Sequence, residues 1–175
     1  MKKTTILLIE LLAVFGLLVG LAFAAPLPIN SPAPPFTITS GDNQTISSDQ
    51  FKGKSMLILY ESKDLVELNR PLKNKLNALF AALSPKQKAQ IVILPVVNCS
   101  GAGMFAWVWK NNLIDATKRE KLTIYGDWDG QMAIDYGMAR DSNVVAVNRQ
   151  GIIKYFHSGQ VGPEEAPTII KLLSF

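Results

Sequence analysis

Two kinds of apolar pattern alternate along this chain. Met56–Tyr60 and Ile91–Val97 are unbroken apolar runs, the pattern of parallel strands buried on both faces. Between them, Leu65, Leu68, Leu72, Leu76, Leu79, Phe80 and Leu83 recur at three- and four-residue steps, which predicts an amphipathic helix. Pro71 falls inside that stripe and should kink it near Asn69-Arg70, and Ser84-Pro85 should stop it. A small-residue loop, Asn98–Gly103, precedes a second predicted helix from Met104 to about Lys118, with Phe105, Val108, Trp109 and Leu113 on its stripe. Leu122–Tyr125 reads as a short strand, Asp127–Gly130 as a turn, and Gln131–Tyr136 as a short helix ending at Gly137. Val144–Val147 and Ile152–Phe156 flank Asn148-Arg149-Gln150-Gly151, a hairpin signal with Gly at the tight position. Pro163–Leu173 is a closing helix: Pro163 opens it, and Glu164 and Glu165 favour its positive end.

Before the first long run, Phe36–Ser40 reads as a short strand, with Gly41-Asp42-Asn43 as a turn. Thr45–Gly53 reads as a second edge segment and turn, with Phe51 turned into the core. Parallel strand–helix units followed by a hairpin and a terminal helix predict one α/β domain over 36–175. Its central mixed sheet carries helices on both faces. Upstream, Lys2 and Lys3 precede an apolar run from Ile6 to Leu21, and Ala22-Phe23-Ala24 supplies a small-x-small cleavage pattern. Residues 1–24 are therefore expected to be a secretory signal, although the run is long enough to serve instead as an uncleaved anchor in the inner membrane. Residues 25–35, with five prolines, read as an extended leader.

Composition narrows the chemistry. The chain has 175 residues, a formal net charge of +4, one cysteine (Cys99) and one histidine (His157). No Lys/Arg run interleaves with aromatics, so a nucleic-acid partner has no electrostatic footprint. A lone cysteine cannot form an internal disulfide. One Cys and one His cannot furnish the roughly four ligands of a Cys/His zinc site. Asp127 and Asp129 resemble the start of a calcium loop, but no Glu follows at the required distance and a turn explains them. No metal or cofactor is expected. A Ser–His–Asp triad would have to run through His157, and no Gly-x-Ser-x-Gly elbow accompanies it. Trp107, Trp109 and Trp128 read as core and turn aromatics, or as the lining of a ligand cleft.

The order of elements, together with Ser31–Ile38, the Phe51-Lys52-Gly53-Lys54 step, the Asp127–Gly137 turn and helix end, and the Val144–Gly151 strand and turn, resembles the thioredoxin-like superfamily in its TlpA/AhpC-type branch. Gly101–Phe105, Val144–Gly151, Ser158-Gly159 and Pro163-Glu164-Glu165 are also similar to the YtfJ family of small exported proteins. That likeness implies fold and a periplasmic compartment, and no chemistry. In the redox members of the superfamily, the first buried strand runs into a Cys-x-x-Cys at a helix N-terminus, which lowers the thiol pKa. The resemblance puts Asp64-Leu65-Val66-Glu67 on that motif, so carboxylates stand where both cysteines would be. Two readings of the pair are open: Asp64 as N-cap and Glu67 completing a capping box, or a paired-carboxylate acid/base or metal site, for which no third ligand is evident. Redox members also carry a cis-proline facing the motif. Here Ser142 or Asn143 stands in that place, and a cis bond there would be costly.

Cys99 is the remaining nucleophile. It follows a strand parallel to Met56–Tyr60, and such strands share a C-terminal edge, the functional edge of open α/β sheets. It reads either as an inert small core residue or as a thiol activated by backbone N–H groups near the Met104 helix. The sequence thus predicts an exported thioredoxin-fold binding module without thiol–disulfide exchange. Its partner would be a protein or peptide, or a small ligand, received at an edge built from Ser62, Asp64, Glu67, Asn98, Gly101, Gly103, Asp141, Ser142 and Asn143. The alternative is a one-cysteine thiol peroxidase or reductase using Cys99. A membrane-tethered subunit follows only if the N-terminal apolar segment is retained.

Overall fold

A computed structural model describes residues 27–138 and 142–174. The expected signal segment and Asp141 lie outside the described residues. Seven strands form one sheet: β1 (Thr37–Ser40), β2 (Thr45–Ser47), β3 (Ser55–Glu61), β4 (Ile91–Asn98), β5 (Tyr125–Asp127), β6 (Asn143–Val147) and β7 (Ile153–Ser158). Their order is β2-β1-β5-β4-β3-β6-β7. β3, β4 and β5 run parallel, while β1, β2, β6 and β7 pair antiparallel. The helices are α1 (Arg70–Ala81), α2 (Pro85–Lys88), α3 (Ala106–Glu120), α4 (Gln131–Tyr136) and α5 (Ala166–Ser174).

The continuous apolar runs become the sheet centre because both faces there are covered. All seven residues of β3 are buried. Alternation assigns them to two cores. Met56, Ile58 and Tyr60 pack with Leu94, Val96, Val145 and Val147 under Tyr136 and Met132 of α4. Leu57 and Leu59 pack on the opposite face with Leu72 and Leu76 of α1 and Ile169 and Leu173 of α5. Each such side chain contributes roughly 1.5–3 kcal/mol relative to exposure. Helices therefore lie on both faces, with α1, α3 and α5 sharing one of them. The β6–β7 turn forms as the sequence predicts: Asn148 Oδ1 accepts from the N–H groups of Gln150 and Ile152, and Gly151 takes φ +74°. The proline-rich leader is docked from Asn30 onward, where Asn30 N–H donates to Ile153 O and Ile153 N–H to Ser31 O.

Several boundaries move. The stripe from Leu65 does not form a kinked helix. Residues 62–69 make successive turns, with Leu65 N–H donating to Ser62 O, Leu68 N–H to Leu65 O and Arg70 N–H to Glu67 O. Pro71 opens α1 in its first turn, where its missing N–H costs nothing. The second helix is preceded by a 3-10 turn, Gly103–Phe105, and runs to Glu120. The strand expected at Leu122–Tyr125 sits later, at Tyr125–Asp127, and the closing helix begins at Ala166 after a 3-10 turn over Pro163–Glu165. No helix among the described residues is long and apolar enough to cross a membrane.

Candidate functional site

The C-terminal ends of β3 and β4 lie side by side, Glu61 opposite Val97, so the segments after them share one edge of the sheet. Because α1 starts at Arg70, Asp64 is not an N-cap and no capping box forms with Glu67. Asp64 is exposed and pairs with its neighbour Lys63. Glu67 is exposed and binds Arg70, its two oxygens accepting from Nε at 2.8 Å and Nη2 at 2.6 Å. Arg70 also reaches Glu120 at the end of α3, at 3.1 Å. Its guanidinium holds both Glu67 and Glu120 below the usual carboxylate range. The two carboxylates at the dithiol position thus serve separate surface pairs, and an acid/base couple is not assembled.

Beneath this turn lies a buried polar network that sequence reasoning missed. Glu61, the last residue of β3, is buried, and Lys73 Nζ stands 3.1 Å from both of its carboxylate oxygens. Lys73 also donates to Val66 O. Burial raises the Glu61 carboxyl above its ordinary value, and Lys73 brings it part of the way back. Ser142 Oγ lies 3.4 Å from Glu61 Oε1 and accepts from Asn69 Nδ2 at 2.8 Å. Asn69 Nδ2 also donates to Gly159 O at 3.0 Å, and Asn69 Oδ1 accepts from Val161 N–H at 2.7 Å. One buried amide therefore ties the start of α1, the segment before β6 and the loop leading to α5. Ser142 is a working part of that network, and no cis peptide occurs among the described residues. Asn143 is buried opposite Tyr60, and its Oδ1 accepts from Ser158 Oγ.

On the β4 side, Asn98 Oδ1 accepts from Ser100 N–H and Oγ, a local turn that shapes the loop. Gly101 is exposed, and Gly103 takes φ +48°. Cys99 does not face solvent. It is 1% exposed, and its N–H donates to Asp127 O. A Cβ added to Gly126 would stand 3.0 Å from its Sγ and 2.7 Å from the Trp128 indole nitrogen, so glycine is what lets these groups close over the thiol. Burial, then the Asp127 carboxylate, pushes the thiol up to about 12. Asp127 itself accepts from Tyr60 Oη and from the N–H groups of Met132 and Ala133, and Asp129 accepts from Gln131 N–H. These carboxylates satisfy the orphan donors that Gly130, at the N-cap, cannot.

What the edge does present is apolar. Met104 is 85% exposed, Phe105 60% and Trp107 66%. Phe105 is thus not on the buried stripe as its spacing suggests, because it lies in the 3-10 turn Gly103–Phe105 ahead of the helix whose stripe Leu113 continues. Trp107, read as a core or turn aromatic or as a cleft lining, is exposed on that helix. Large apolar groups clustered on a surface mark interaction sites.

No family model matches the chain. Among curated proteins, the thiol peroxidases of Mycobacterium tuberculosis and Mycobacterium bovis are 63% identical to it over 30 residues, a stretch spanning 17% of this chain and 18% of theirs. A solution structure of a putative protein disulfide isomerase from Bacteroides thetaiotaomicron superposes with TM-score 0.64 at 16% identity, covering 85% of this chain and 92% of that one. A putative thiol:disulfide interchange protein DsbE from Chlorobium tepidum gives 0.62 at 15%, over 83% and 95%. A peroxiredoxin-like protein from Aquifex aeolicus gives 0.61 at 14%, over 86% and 90%. At such identities the likeness is one of fold, and the fold is thioredoxin-like.

Proposed function

We propose that this thioredoxin-like chain is an exported binding module that works outside the cytoplasm without thiol–disulfide exchange, receiving a protein or peptide partner at the edge formed by Ser62–Glu67, Asn98–Gly103 and Ser142-Asn143. The observation that carries the reading is the state of the edge. Its single thiol is sealed and held protonated, its dithiol position holds two surface-paired carboxylates, and its protruding groups are Met104, Phe105 and Trp107. The Lys2–Ala24 signal pattern and the likeness to the YtfJ family support a periplasmic location.

The test is complementation of a deletion strain. Cys99→Ser restores function fully, whereas the double variant Phe105→Ser/Trp107→Ser accumulates normally and fails. A Cys99→Ser protein that accumulates but fails overturns the reading. The second reading, a one-cysteine thiol peroxidase or reductase, is favoured by the short match to thiol peroxidases. It requires purified protein to consume hydrogen peroxide with dithiothreitol and to lose that activity in Cys99→Ser. An exported protein whose N-terminus is Met1 would place the same domain at the membrane surface.

A further inference from the structure

Between α1 and α3 lies a cavity of about 500 Å3, inside the range of roughly 300–1,000 Å3 typical of small-molecule sites. α1 leans on α5 and leaves the adjoining face of β4 poorly covered. Leu94 and Val96 are sealed on one face of that central strand, while Ile93, Pro95 and Val97 on the other are only half-buried and line the cavity with Leu59. Apolar groups of a central parallel strand are ordinarily covered. Trp109, Leu113 and Ala116 of α3, with Val66, Leu122 and Ile124, add to the apolar lining.

The rim is charged but balanced. Lys63, Arg70, Lys73 and Arg119 face Glu61, Glu67, Asp115 and Glu120. Arg70 is held by Glu67 and Glu120, Lys73 by Glu61, and Arg119 leans on Glu120. A charged ligand would be desolvated against groups already neutralised, with nothing to compensate it. The polar groups left over are neutral. Among the described residues, the solvent-exposed amides of Asn77 and Asn112 and the indole N–H of half-buried Trp109 line the cavity and make no hydrogen bond within the protein.

We propose that this cavity binds one uncharged, largely apolar small molecule carrying a hydrogen-bonding group, its body on Pro95, Val97 and Trp109 and its polar group met by Asn77 and Asn112. The cavity excludes Cys99 and the Met104–Trp107 surface but shares Lys63, Val66 and Glu67 with the proposed partner edge. Dye uptake is read on the chain alone, with no partner present, so its failure is distinguishable from failure of the binding-module reading.

The test uses the full-length chain and two dyes on one aromatic frame: uncharged N-phenyl-1-naphthylamine and its sulfonated relative 1-anilinonaphthalene-8-sulfonate. The expected result is saturable binding of one uncharged dye per chain, with tryptophan fluorescence transferred to it. The sulfonate should bind at least tenfold more weakly. Ala116→Trp, which fills the cavity from α3, should weaken uptake of the uncharged dye at least tenfold. Asn112→Trp, at an exposed helix position, serves as the second variant should Ala116→Trp fail to fold. Non-saturable binding, equal affinity for both dyes, or unchanged affinity in a folded variant overturns the proposal.

Discussion

Replacing Asn69 with alanine should destabilise the fold more than any surface change near the candidate edge. Asn69 is buried and makes three hydrogen bonds, to Ser142 Oγ, Gly159 O and Val161 N–H. The largest cost is the Val161 N–H, which is itself buried and would lose its acceptor, at about 1–3 kcal/mol. Loss of the bonds to Gly159 and Ser142, each roughly 0.5–1.5 kcal/mol, brings the expected total to about 3 kcal/mol. Equilibrium urea unfolding, followed by tryptophan fluorescence, should show the midpoint falling by roughly 1.5 M for an m-value near 2 kcal/mol/M. Asn69→Asp separates donor from acceptor. Its carboxylate still accepts from Val161 but cannot donate to Gly159 O, and it lies near buried Glu61, so it should be worse near neutral pH than near pH 4, where a proton restores the donor. A loss below about 1 kcal/mol for Asn69→Ala would mean that water replaces the amide, and would refute the argument that one side chain ties α1 to the edge.

Lys73→Met leaves Glu61 buried without its cation. The Glu61 pKa, already raised in the folded state, then rises further above its unfolded value, so stability falls as pH climbs through that interval. The expected loss is about 3 kcal/mol near pH 8 and clearly smaller near pH 4, read from paired urea titrations; equal losses at both would sink the assignment. Gly41→Ala would put a methyl group 2.4 Å from the carbonyl oxygen of Lys110 in α3. The overpacking should cost about 1–3 kcal/mol, and a melting temperature within 1 °C of the parent would contradict that contact.

The sheet was legible because its central strands are buried on both faces and so are written as apolar runs; β3, β4 and the β6–β7 hairpin fall where the pattern predicts. The site was far less legible. Leu65 and Leu68 continue the helical period, yet a series of three-residue turns sets apolar groups at nearly the same spacing, and only Pro71 marks where the helix begins. Asn69 looks like any polar residue beside a proline, and its partners lie 73 to 92 residues away. Glu61 reads as the polar end of an apolar run, and Lys73 as a solvated helix residue; nothing local says that they meet beneath the surface. Phe105 was misread because it lies in a 3-10 turn and not in the helix whose stripe its spacing continues.

The central claim is that Cys99 does no thiol chemistry in the folded protein. With one cysteine in the chain, 5,5′-dithiobis(2-nitrobenzoate) reports on it alone. A thiol pushed up to about 12 from an ordinary value of 9.0 carries about a thousandfold less thiolate near neutral pH, before its burial is considered. The account predicts that native protein reacts at least a thousandfold more slowly than the same protein in urea. A native rate within tenfold of the unfolded one would contradict it and return Cys99 to the chemistry.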